Sequence, residues 1–251
     1  MGDAITSTAS IYQPLSPAKK EIRLLELLPP PPDDQIFASC RLSTVSLLDD
    51  ELRFTALSYV WGSPTATNTI LLNGIRRQVT KNPAAAMKRL TSMARAFRRA
   101  RNVFLLWADA VCINQDDNSE KSHQVSLMDD LCTSATSVYS WFGTESCIPT
   151  AIKTLEIVYR ELQENEEKGH MAENLIWLRQ HPVLYVEDSP RDEQTLIPNR
   201  HWTALQDFAD LPYWSRMWIF QETVLSRPNQ LVFMGSAGAR ISGDKLERAP
   251  G

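Results

Sequence analysis

Unbroken apolar runs and helical spacings alternate along the chain. Residues 103–107 (VFLLW) form a continuous apolar run, which is typical of a strand that is buried on both faces of a sheet. Polar side chains follow this run, beginning with Asp109, Asn114 and Gln115. Ligands bind at the carboxyl ends of strands in open α/β sheets, so the pattern predicts a candidate site here. A turn that only leads into the next helix would carry similar residues, and this stretch alone leaves both interpretations open.

The next segment has the pattern of an amphipathic helix. Asp117 is placed to cap its amino terminus, and Glu120 stands three residues later, as in a capping box. Apolar residues then recur at helical spacing. The pattern predicts one continuous helix with a buried stripe formed by Val125, Met128, Cys132 and Ala135.

Strands and helices alternate through the rest of the chain. Strands are predicted at residues 22–28, 36–48, 54–61, 70–72, 75–79, 137–142 and 230–234. Helices are predicted after a cap at Asn82, at 149–168, before Pro212 and at 214–225. Asn73-Gly74 is a strong hairpin signal. The alternation predicts an α/β fold with a mostly parallel, doubly wound sheet, to which the first two strands add an antiparallel lead-in and residues 70–79 a hairpin.

Shifts in composition predict a single domain at residues 21–235. Residues 1–20 are rich in Ser, Thr and Ala and lack periodicity, which predicts a flexible leader. Residues 164–200 have mixed composition and are interpreted as a variable insertion. Residues 236–251 turn to Gly, Ser and charged residues, and a disordered tail is expected there.

Charge and cysteine usage narrow the class of protein. The net charge of -4 gives no basic footprint, which argues against nucleic acid as a partner. No apolar run has the length of a membrane span or the form of a signal peptide, so a cytoplasmic protein without a membrane partner is expected. The four cysteines have no Cys-x-x-Cys or zinc spacing, and no metal is predicted. Cys112 lies between Val111 and Ile113, which predicts a buried thiol and not a nucleophile.

Three stretches, in order and at characteristic spacing, resemble the fungal heterokaryon incompatibility (HET) domain. They are residues 56–62 (ALSYVWG), 106–115 (LWADAVCINQ) and 214–222 (WSRMWIFQE). The resemblance extends over about residues 22–235. Ala108 and the pair Leu131-Cys132 depart from the usual family pattern, and both changes concern packing.

The resemblance implies a role in fungal nonself recognition, in which incompatible partners trigger growth arrest and death of the fused cell. The HET domain is the effector in that response. It would act as a self-associating signalling module that recruits protein partners or further copies of itself. The family's fold has been likened to the flavodoxin-like Toll/interleukin-1 receptor (TIR) domain. Some TIR domains cleave NAD with a glutamate four residues after a tryptophan, and Trp218 and Glu222 have that separation.

The comparison with TIR domains supplies the alternative function, a NAD glycohydrolase. Such an enzyme needs a carboxylate near the ribose, because positive charge develops there as the glycosidic bond breaks. It also needs a pocket with an aromatic wall. Glu222 and Asp109 are the candidate catalytic residues. The candidate substrate-binding residues are Tyr59, Trp61, Asn114, Gln115, Arg216 and Trp218. NAD would be a substrate, and no bound cofactor is predicted.

Each of these residues also has a structural interpretation. Glu222 would form a salt bridge with Arg216, and Asp109 would cap a turn. The tryptophans would pack in the core. The sequence therefore favours a signalling domain and leaves enzymatic activity open.

Overall fold

The computed structural model describes residues 11–29, 32–99, 103–167, 181–184, 199–216, 231–235 and 240–242. The strands are β1 (Glu21–Leu27), β2 (Ile36–Ser46), β3 (Thr55–Tyr59), β4 (Thr67–Leu72), β5 (Ile75–Thr80), β6 (Leu105–Trp107), β7 (Ser137–Trp141), β8 (Leu231–Met234) and β9 (Arg240–Ser242). The helices are α1 (Lys81–Arg99), α2 (Asp109–Cys112), α3 (Asn118–Ser126), α4 (Met128–Ser134), α5 (Cys147–Glu167) and α6 (Arg200–Ala209). Short 3₁₀ turns lie at Pro17–Lys19 and Pro212–Ser215.

All strands of the described residues form one sheet in the order β5-β4-β2-β1-β6-β3-β7-β8-β9. Its centre, β6-β3-β7-β8, is parallel. β1 pairs antiparallel with both β2 and β6, and β9 pairs antiparallel with β8. The predicted α/β fold, with parallel strands at its centre and an antiparallel lead-in, is confirmed.

The predicted hairpin connects β4 and β5. Leu72 pairs with Ile75, which leaves a two-residue loop of Asn73 and Gly74 with φ angles of 51° and 80°. Positive φ at both positions is the requirement of a type I′ turn, whose twist matches that of the strands it joins. Asn73 Oδ1 also accepts a hydrogen bond from Leu42 N at 2.9 Å, which fixes the hairpin to β2.

The apolar run at 103–107 forms the central strand β6, between β1 and β3. Leu106 and Trp107 are fully covered, whereas Val103 is exposed and precedes the strand. A strand that is flanked on both edges and covered on both faces is typically rich in apolar side chains, which accounts for the sequence of this run.

The continuous helix predicted after Asp117 is wrong. The chain breaks into α3 and α4 at Leu127, where φ is -93° and ψ is 1°. The buried side chain of Gln124 donates to Glu21 O at 2.9 Å, so this residue faces β1 although the periodicity assigns it to the surface. Met128 and Cys132 are buried as predicted, but Val125 is exposed.

The flexible leader predicted at residues 1–20 is wrong for the described residues 11–20. Ile11 and Tyr12 are buried, and Tyr12 OH donates to Val111 O at 2.9 Å. Burying an aromatic ring with its hydroxyl paired offsets the entropy of ordering this segment. Residues 1–10 lie outside the described residues.

The disordered tail predicted at 236–251 is wrong for Arg240–Ser242, which form β9, because backbone pairing with β8 overrides the polar composition. The remainder of this tail lies outside the described residues.

Most of the insertion predicted at residues 164–200 also lies outside the described residues. In the part that is described, α5 extends to Glu167 and Leu184 is buried. Of the helix predicted at 214–225, only the start is described, and Trp214 lies in a 3₁₀ turn. None of the described helices is long and apolar enough to cross a membrane.

Candidate functional site

A cavity of about 410 Å³ opens at the carboxyl ends of β3 and β6, a size within the usual range for ligand pockets. The strand register explains this position: Ala56 pairs with Trp107, so the residues that follow β6 lie beside the last residues of β3. The cavity is lined by Leu57, Val60, Trp61, Trp107, Asp109, Ile113, Gln115, Lys121, Val125, Met128 and Arg216.

Asp109 links the two strands at this edge. It is the first residue of α2, and its Oδ1 accepts hydrogen bonds from Tyr59 OH and from Ala110 N, the latter at 2.8 Å. Its Oδ2 accepts a hydrogen bond of 2.7 Å from Trp61 Nε1. Three donors therefore hold this carboxylate, and two of them come from the end of β3. Tyr59, Trp61 and Asp109, three of the candidate site residues from the sequence, are therefore in direct contact.

Burial controls the protonation of this cluster. Desolvation raises the pKa of Asp109 above its ordinary value of 3.8, while the bonds from Tyr59 and Trp61, the Ala110 amide and the charge of Arg216 act in the opposite direction. Desolvation, followed by the nearby Asp109 charge, raises the pKa of Tyr59 well above 10.0. Tyr59 is therefore a neutral donor at physiological pH.

Arg216 reaches the same cavity from the carboxyl-terminal part of the chain. Its Nη1 donates to Ser58 Oγ at 3.0 Å, and its guanidinium lies 5.6 Å from the ring centroid of Tyr213. Ser58 Oγ and Tyr213 OH are hydrogen-bonded at 2.7 Å. Because a β3 hydroxyl and an aromatic ring hold the guanidinium, Arg216 is a positioned cation of the cavity.

Gln115 lines the cavity, and its Nε2 donates to Asp109 O at 2.8 Å, which closes the turn after α2. Asn114 does not line the cavity, so its predicted role in binding substrate is not supported. Its Oδ1 accepts from Asp116 N at 3.3 Å, a local turn bond typical of asparagine. Trp218 and Glu222, the other predicted site residues, lie outside the described residues.

The family model described as "Heterokaryon incompatibility protein (HET)" matches residues 54–222. The chain belongs to this family. The match begins just before β3 and continues past Arg216, so it contains all three stretches that build the cavity.

This HET domain is also similar to a curated protein, heterokaryon incompatibility protein 6, OR allele, of Neurospora crassa. The two are 28% identical over 230 residues, which cover 84% of the chain and 33% of the relative. The chain thus spans about a third of the length of that protein. No solved structure matches the chain.

The ion pair between Arg23 and Glu120 was not predicted from the sequence, which assigned Glu120 to a capping box. The capping prediction is confirmed for Asp117, whose Oδ1 accepts from Ser119 N and Glu120 N at 2.9 and 3.0 Å. Glu120 does not complete a capping box, because its carboxylate pairs with Arg23 and accepts from Asn114 N at 2.7 Å. The available signal was Arg23 itself, since a charge within a buried apolar strand requires a partner.

Asn82 connects β3 and β7 and is not the helix cap that the sequence predicts. Its Nδ2 donates to Val60 O at 2.6 Å, and its Oδ1 accepts from Trp141 Nε1 at 2.7 Å. Helix α1 begins at Lys81, two residues before the predicted first helical residue, Pro83. A second cavity of about 370 Å³ lies here, lined in part by Val60, Lys81, Asn82 and Gly143.

The cysteines offer no activated thiol among the described residues. Cys112 is buried, and desolvation raises its pKa to about 12. Its Sγ accepts from Ala108 N at 3.3 Å. The prediction that Cys112 is buried is confirmed, and its raised pKa disfavours the thiolate that a nucleophile requires. In the described part of the chain, no cluster of His, Cys, Asp and Glu could hold a metal ion.

Proposed function

We propose that this HET domain is an effector of a fungal incompatibility response, in which it triggers arrest and death of the cell formed when unlike partners fuse. Membership of the family and the name of the similar Neurospora crassa protein support the proposal. In this proposal the domain acts as a self-associating signalling module that recruits protein partners.

The observation that carries the proposal is the convergence of the three family stretches on one cavity. Tyr59 and Trp61 come from the first stretch, Asp109 from the second and Arg216 from the third. Stretches far apart in sequence that meet at a cavity, and not only in the core, are typical of a shared working site. Trp61 and Val125 are exposed at this cavity, and exposed apolar side chains also favour contact with a partner.

A NAD glycohydrolase is the second candidate function. It is favoured by one specific observation, namely that a desolvated carboxylate, Asp109, shares a ligand-sized cavity with the cation Arg216. Glu222 follows Arg216 within the same stretch and would be the catalytic carboxylate. Asp109 is already held by three protein donors, so its role would be to position Tyr59 and Trp61.

Inducible expression of the chain in a fungal host tests both candidates, with colony survival and cellular NAD as readouts. Induction of the wild type should kill, and survival at confirmed expression would refute the effector proposal. Glu222→Gln should abolish killing and NAD loss if the domain is a glycohydrolase. Killing by that variant, with NAD unchanged, would instead support signalling through partners. Glu164→Gln, an exposed position on α5, is the matched control.

A further inference from the structure

Trp61 has the arrangement of a stacking surface. Its indole Nε1 is fixed to Asp109 Oδ2 at 2.7 Å, yet 42% of the residue is exposed, and it lines the cavity next to Val60. An aromatic ring that is held by its polar edge and leaves apolar surface accessible can stack against another planar ring at little entropic cost.

The summed charge of the described residues that line the cavity differs in sign from that of the whole chain. Lys121 and Arg216 both line it, whereas Asp109 is the single carboxylate among its described lining residues. The Asp109 oxygens already accept three protein hydrogen bonds, so they are engaged by the protein itself. The described lining residues thus have an excess of one positive charge in a chain with a net charge of -4. Such local excess attracts anions.

We infer that this cavity binds a planar aromatic ring that carries a phosphate group, with the ring stacked on Trp61 and the phosphate near Lys121 and Arg216. A phosphate is favoured because it carries up to two negative charges, which two cations can share, and because arginine matches its geometry. The apolar walls, such as Leu57 and Met128, suit the ring. The inference rests on the proposed function in taking this cavity as the working site, and it names the ligand class.

Calorimetric titration of the purified chain with adenosine monophosphate (AMP) tests the inference, with adenosine and inorganic phosphate as partial probes. AMP should bind more tightly than either part, and its affinity should fall as salt is raised. Lys121→Gln should weaken AMP binding by about fivefold, the usual upper contribution of a partly exposed charge, and leave adenosine binding unchanged. Lys153→Gln, exposed on α5 and outside the cavity lining, is the matched control and should bind AMP as the wild type does.

The ring is tested by two substitutions at Trp61. Trp61→Leu should weaken AMP binding by roughly tenfold or more, since a stacked base contributes substantially. Trp61→Phe keeps an aromatic surface and should retain most of the affinity, which separates stacking from loss of the bond to Asp109. Equal affinity for AMP and adenosine, or no AMP binding by a folded wild type, overturns the inference. If killing persists without AMP binding, only this inference fails. If AMP binds but the wild type does not kill, only the proposed function fails.

Discussion

The guanidinium of Arg23 and the carboxylate of Glu120 form a two-pronged ion pair, with nitrogen–oxygen distances of 2.6 and 2.9 Å. Arg23 is only 1% exposed. It also donates to Gln13 O at 2.6 Å and to Cys112 O at 3.1 Å. This one side chain therefore joins β1 to the amino-terminal segment, to the end of α2 and to α3.

Glu120→Gln should lower the free energy of unfolding by about 3–5 kcal/mol, because it leaves the buried Arg23 charge without its counterion. Urea unfolding at neutral pH measures the change. The control is Asp130→Asn, which breaks the exposed pair of Lys20 and Asp130 and should cost less than about 1 kcal/mol. Equal effects of the two substitutions would contradict the structural role assigned to Arg23.

Trp107→Ala should cost about 3–5 kcal/mol, as expected when a buried aromatic site is emptied. Trp107 is 3% exposed, and its Nε1 has no hydrogen-bond partner among the described residues. Trp107→Phe should therefore cost much less, since the lost N–H makes no bond and most of the packing is kept. Thermal unfolding of both variants measures the difference. Melting of the alanine variant within a few degrees of the wild type would show that the site is not packed as described.

The sheet could be predicted because its signals are local. Strand β3 is buried along its whole length, and the positive φ angles of Asn73 and Gly74 follow from those two residue types. The break at Leu127 and the ordered segment at Tyr12 could not be predicted, because each depends on a distant partner. Gln124 bonds to a backbone oxygen 103 residues away, and Tyr12 to one 99 residues away.

The candidate site was predictable where its residues follow strands that meet at one edge, as Tyr59 and Asp109 do. Lys121 was missed because its place at the cavity depends on how α3 begins after the turn. Asn82 was assigned as a cap from its position before Pro83, but its side-chain partners lie 22 and 59 residues away. Local patterns identify polar residue types, whereas tertiary contacts decide which backbone and side-chain groups they bond.

One of the four thiols should react with a disulfide reagent in the folded protein. Burial raises the pKa of Cys40 and of Cys112 to about 12, and Cys132 is also buried. Desolvation raises the pKa of Cys147 as well, but this thiol is partly exposed and accessible to the reagent. Thiolate is the reactive form, so Cys40 and Cys112 should react only after unfolding. Absorbance of the released thiol counts the equivalents, and Cys147→Ser should remove the early one. Any early equivalent from that variant would contradict the burial described.

The stability of the wild type relative to Asp109→Asn should increase as the pH is lowered from about 7 towards 4. Desolvation raises the pKa of Asp109 above 3.8 in the folded state, so in this range the folded protein binds a proton more readily than the unfolded chain. Falling pH therefore favours the folded wild type, whereas asparagine does not titrate. In Asp109→Asn the side-chain NH₂ group replaces an accepting oxygen, so it faces one of the three donors that hold Asp109. This mismatch should by itself lower the free energy of unfolding by about 1–3 kcal/mol. Urea unfolding of both proteins across this pH range measures the difference.

Tyr59→Phe provides the second comparison, since it removes a donor that stabilises the ionised carboxylate and should move the gain in stability to higher pH. A difference between the wild type and Asp109→Asn that does not change with pH would show that the carboxylate is solvated, and would remove the argument for a desolvated acid in this cavity.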